Sequence, residues 1–119
     1  MKINSAATMF PVSDLDAALG YYTVVLGFEQ EFRFGQYAGI KRNDCRIHLS
    51  EQGNPNTGRP GTGAVYLFCD EVDGYYAEIT ERGAKTESPP KDYPYGLRDF
   101  VAHDPDGNQL SFGAPTAGA

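Results

Sequence analysis

Ser13-Asp14-Leu15-Asp16-Ala17-Ala18-Leu19-Gly20-Tyr21-Tyr22, closing on Leu26-Gly27-Phe28, is echoed by Asp70-Glu71-Val72-Asp73-Gly74-Tyr75-Tyr76-Ala77-Glu78-Ile79, closing on Arg82-Gly83-Ala84. Each copy follows one strand-like run and precedes another. Asp16 and Asp73 stand 57 residues apart in a chain of 119. That repeat predicts two similar modules in a single domain, over about 1–58 and 59–119. Two modules that each present an open sheet can build a cavity between them. The residues facing that cavity then decide the function.

Residues 5–12 read as a strand ending at Pro11-Val12. Ser13 suits the N-cap of a helix, with Asp16 in the capping-box place. Leu15, Ala18, Leu19, Tyr22, Val25 and Leu26 recur at helical spacing and Gly27 suits the left-handed stop, which predicts a helix over 14–26. Alternation over 28–34, then 37–41 and 45–50 about an Arg42-Asn43-Asp44 turn, predicts three strands. A linker rich in Gly, Pro and Asn covers 51–63. The second module repeats the order. A strand over 64–69 leads to a helix with Val72, Tyr75, Tyr76 and Ile79 on one face; short strand 84–87 and an irregular loop over 88–96 follow. Strands 97–103 and 109–112 meet at Asp104-Pro105-Asp106-Gly107-Asn108, a turn in which Pro pre-sets the backbone and Gly or Asn takes positive φ. A calcium loop would need a distal Glu that this turn lacks. Strand, helix, three strands, twice over, gives class α+β, with helices on one side of curved mixed sheets.

Composition excludes several functions. Net charge is −6, which disfavours nucleic acid and favours a cationic small ligand. No apolar run approaches the roughly 18 residues of a membrane span. Met1-Lys2-Ile3-Asn4-Ser5 lacks the apolar core of a signal peptide, so the expected location is cytoplasmic. Cys45 and Cys69 form no metal-type pair and no disulfide framework; two free, partly buried thiols are expected. Gly58, Gly61 and Gly63 lack the Lys-Ser/Thr of a phosphate loop, and neither histidine adjoins a nucleophile motif.

The paired βαβββ order, Val12-Ser13-Asp14-Leu15, Tyr22 with Leu26-Gly27-Phe28, and Phe100 with Asp104-Pro105-Asp106-Gly107-Asn108 together resemble the vicinal oxygen chelate superfamily. This group includes glyoxalase I, extradiol dioxygenases and the fosfomycin- and bleomycin-resistance proteins. In its metal-dependent members, His, Glu, Gln or Asp from set strands hold a divalent cation that acts as a Lewis acid. The resemblance puts those positions at Ala7, His48, Ala64 and Ser111. Three of the four do not normally bind such a metal, and two alanines enlarge the space between modules. Bleomycin-resistance proteins show the same departure and sequester a large cationic glycopeptide at a dimer interface. Further similarity runs through Glu31-Phe32, Tyr37-Ala38-Gly39, Tyr66 to Phe68 and Tyr95-Gly96.

The resemblance therefore implies a non-catalytic drug-binding protein with no cofactor. Its candidate ligand-binding residues are Glu31, Phe32, Phe34, Tyr37, His48, Ser50, Tyr66, Phe68, Tyr95 and Ser111. The chain lacks tryptophan, so Tyr and Phe must supply the stacking. A homodimer is expected, its modules paired within one chain or swapped between two. The alternatives are a metal-dependent lyase, isomerase or transferase and a metabolite-binding module. His48 is read as a weak metal ligand, a cavity-wall group or a structural histidine. His103 is expected to sit structurally beside Asp104. Glu31 is surface charge or the partner of a cationic ligand. Tyr66 and Phe68 share strand parity with Ala64 and serve as core or platform. Tyr93, Tyr95 and Arg98 are read as a gate of the groove, with pairing of Arg98 to Asp99 or Glu87 at the surface as the equal alternative.

Overall fold

The computed structural model describes residues 1–116; the last three positions of the expected second module lie outside them. The first module runs β1 (Thr8–Val12), α1 (Leu15–Gly20), β2 (Glu29–Phe34), β3 (Tyr37–Arg42) and β4 (Cys45–Glu51). The second runs β5 (Ala64–Phe68), α2 (Val72–Glu81), β6 (Lys85–Thr86), β7 (Lys91–Asp92), β8 (Leu97–His103) and β9 (Gln109–Pro115). The sheets have orders β1-β4-β3-β2 and β5-β9-β8-β6, with β7 also on β8. β1–β4 and β5–β9 are parallel and the remaining pairs antiparallel, so the class is α+β with two mixed sheets. Strand β7 is an addition that the irregular-loop reading did not contain.

Strand alternation sends every second residue to the helix side. Phe10, Val12, Ala38, Ile40, Ile47 and Leu49 pack there beneath Leu15, Ala18, Leu19 and Tyr22. In the second module Phe100, Ala102, Leu110 and Phe112 join Val72 and Ile79 in the same buried cluster. The opposite faces carry no helix. Phe34 and Phe68 are each 78% exposed there.

Two local expectations are corrected. The cap of α1 is Asp14, whose Oδ1 accepts from the Ala17 N–H at 3.1 Å, rather than Ser13, whose N–H donates to Asp106 Oδ2 in the second module. The α-helix also stops at Gly20 and continues over Tyr21–Val25 as a wider π turn, with the Leu26 N–H donating to the Tyr21 carbonyl at 3.1 Å. Within this turn both adjacent tyrosines reach the other module: Tyr21 O–H donates to the His103 carbonyl at 2.7 Å and Tyr22 O–H to Asp104 Oδ2 at 3.0 Å. Gly27 ends the segment at φ +79°, as its place in the repeat implied.

The turn after β8 fastens the modules together. Asp104 and Asn108 are buried, at 1% and 0% exposure. Asn108 Nδ2 donates to the Pro11 carbonyl and to Asp104 Oδ2, both at 2.8 Å, and its Oδ1 accepts from the Gly63 N–H.

Candidate ligand-binding faces

On the open face of the first sheet, register aligns Phe32, Gly39, His48 and Met9 across four strands. The Phe32 ring occupies the space that a Cβ on Gly39 would fill, so it lies flat on the sheet. Tyr37 stacks beside it at 6.2 Å between centroids, and His48 meets it edge-on at 5.2 Å. Tyr37 O–H and His48 Nδ1 share a hydrogen bond of 2.8 Å, which commits one imidazole nitrogen within the face. Phe34 flanks the group. Ser50 lies beneath the linker, bonded to Thr57 Oγ1 at 2.6 Å. Glu31 accepts from Arg46 Nε at 3.1 Å, with Lys41 Nζ at 4.0 Å.

The second sheet repeats the device. The Tyr66 ring occupies the space over Gly113, with Phe68 5.1 Å away and Ser111 beside it in the ladder. Tyr66 O–H donates to Asp99 Oδ2 at 2.8 Å, and Tyr95 O–H donates to the same oxygen at 2.5 Å. Tyr93 and Tyr95 stack with planes 4° apart. The ten candidates thus divide between two faces: Glu31, Phe32, Phe34, Tyr37, His48 and Ser50 on the first, and Tyr66, Phe68, Tyr95 and Ser111 on the second. Asp99 and Tyr93 join them. Strand parity signals Asp99 in the sequence, since it alternates with the inward Phe100.

The same parity corrects Arg98. It sits on the helix side and makes a two-pronged contact with Asp73, both distances 2.9 Å, and a third with Asp92 at 3.2 Å. That guanidinium holds the Asp73 carboxyl below its ordinary range. His103 pairs with Glu87 at 2.6 Å rather than with the Asp104 carboxylate. Cys45 and Cys69 are free and half-buried, and desolvation raises both thiols.

Hydrogen bonding to Asp99 pushes Tyr95 up to about 12; burial, then the same bond, raises Tyr66. A raised phenol favours the neutral folded form. Its contribution is complete below the ordinary value of 10.0 and is lost as pH climbs toward about 12. Wild type is expected to lose thermal stability more steeply over that window than Asp99→Asn, with phenolate absorbance appearing later. Coincident titrations would show that the two bonds do not persist in solution.

A cavity of about 790 Å³ opens around the outer edge of β5. Phe28, Leu67 and Phe112 line it with Asp70 and Glu71, and it shares Tyr66 and Phe68 with the second open face. Glu71 stands there at φ +44°, a left-handed conformation that is costly for a non-glycine residue.

The residues present do not fit a divalent metal. Ala7 and Ala64 offer no donor, and Ser111 offers only a hydroxyl. Among the described residues no three His, Cys, Asp or Glu side chains converge. Among the same residues no helix is long and apolar enough to cross a membrane.

Two mixed sheets, each with an aromatic platform on its uncovered face, place the chain in a known class. It belongs to the Glyoxalase/Bleomycin resistance protein/Dioxygenase superfamily, whose profile matches residues 2–112. Among its curated relatives is a bleomycin resistance protein of Geobacillus stearothermophilus, 29% identical over 118 residues, covering 86% of this chain and 89% of the relative. Solved structures with the same fold include TnmS3, an antibiotic binding protein from Streptomyces sp. CB03234, at 27% identity and TM-score 0.80, covering 97% and 98% of the two chains. Another is the bleomycin-binding protein of Streptomyces verticillus, solved with copper(II)-bleomycin, at 26% identity and TM-score 0.76, covering 98% and 99%.

Proposed function

We propose that this chain binds a bulky, flat, cationic small molecule without transforming it, in a groove built from the open faces of two subunits. The observation that carries the reading is the matched pair of platforms: Phe32 laid over Gly39 and Tyr66 laid over Gly113, each on a face its own helices leave bare. Exposed aromatic clusters of this kind are characteristic of interaction sites. A second copy covers the faces and the outer strands β1 and β5, so the functional unit is a homodimer. Stacking and burial hold the aromatic part of the ligand. Protection of a cell would follow from titrating the drug. The bleomycin and antibiotic binders among the relatives support that ligand class, and the unsuitable donor set argues against the metal-dependent lyase, isomerase or transferase alternative.

Calorimetry with bleomycin tests the reading. The expected result is saturable heat at one ligand per subunit from a protein that sediments as a dimer. Absence of heat at high micromolar protein, or a monomer that binds as well as the dimer, would count against it.

A further inference from the structure

We propose that Asp99 anchors a protonated amine or guanidinium of the ligand, an inference that rests on the open-face reading above. Asp99 is 7% exposed, yet no ion pair reaches it among the described residues. Its neighbour Arg98 is committed to Asp73 and Asp92 on the other side of the sheet. Both tyrosine hydroxyls donate to Oδ2, and among the described residues Oδ1 has no hydrogen bond. Among the described residues no wholly buried side-chain oxygen or nitrogen lacks a partner, so Oδ1 keeps access to the outside.

A carboxylate sunk among aromatic rings without a counter-charge is held at a cost that an incoming cation relieves. Tyr66 and Tyr95 fix its position through their hydroxyls. Glu31, the acidic group marked by the sequence for this role, is already answered by Arg46 and Lys41. The charge selectivity of the groove therefore resides on the second sheet.

Thioflavin T, a flat benzothiazole cation, and its neutral analogue lacking the N-methyl group separate the two claims by fluorescence titration. Wild type is expected to prefer the cation by about tenfold or more, the scale of a charge-assisted hydrogen bond. Asp99→Asn should bring the two affinities within about twofold by weakening the cation alone. Asp99→Ser, which also removes the charge, should level the two affinities in the same way, and it serves should Asp99→Asn fail to fold. Equal binding of both probes by wild type overturns the anchor while leaving the groove intact. A preference that survives removal of the Asp99 charge also overturns it. Failure of both probes to bind overturns the anchor and the groove together.

Discussion

Asp104→Ala is expected to remove about 3 kcal/mol or more of stability, since several buried donors are stranded at about 1–3 kcal/mol each. The carboxylate accepts from Tyr22 O–H at 3.0 Å, Asp106 N–H at 3.0 Å, Asn108 N–H at 2.9 Å and Asn108 Nδ2 at 2.8 Å. It shapes the turn and, through Tyr22 and Asn108, ties that turn to the helical segment and to β1 of the first module. A melting midpoint lower by about 10 °C or more is the readout. Tyr22→Phe removes one bond and keeps the ring in its packing, so about 1 kcal/mol is expected. A loss below about 1 kcal/mol for Asp104→Ala would mean that these four bonds contribute little to holding the turn and the modules together.

Gly39→Ala and Gly113→Ala should both lower stability and weaken ligand binding. Replacing glycine by alanine in a strand ordinarily helps, because it restricts the unfolded chain. Here the added methyl enters the space held by the Phe32 or Tyr66 ring, so the sign reverses. Forcing a ring off the sheet costs about 1–3 kcal/mol. Losing the platform weakens a flat ligand about three- to tenfold, the range of aromatic stacking. Denaturant melts and calorimetry on the two variants read both effects. Unchanged or improved stability in both would show that the rings do not lie where the structure puts them.

Much of the architecture is legible in the sequence because it rests on local signals. The repeated helix starts, Gly27, and the Asp104 to Asn108 turn each act through nearby backbone, and strand alternation sorts helix-facing from open-face residues. The failures arise where a distant partner decides. Ser13 reads as a cap, yet Asp14 caps the helix while the Ser13 N–H donates to Asp106, 93 positions away. The π turn at Tyr21–Val25 satisfies contacts with His103 and Asp104 that no helical periodicity contains. Arg98 reads as a partner of Asp99 from proximity, yet the strand sends the two to opposite sides.

The site is legible in kind and not in assembly. Parity gathers the aromatics onto two faces. It does not reveal that glycines opposite them let the rings lie flat, that Glu31 is already paired, or that Ser50 is roofed by the linker. Those depend on neighbours across strands and on a 13-residue connection without its own periodicity.

Chemical-shift mapping of a bleomycin titration on isotope-labelled protein tests the central claim most directly. The account predicts perturbations at Phe32, Tyr37 and His48 together with Tyr66, Tyr95 and Asp99, from both sheets at one ligand per subunit. Shifts confined to Phe28, Leu67 and Glu71 beside the β5 edge, or no shifts at all, would contradict it.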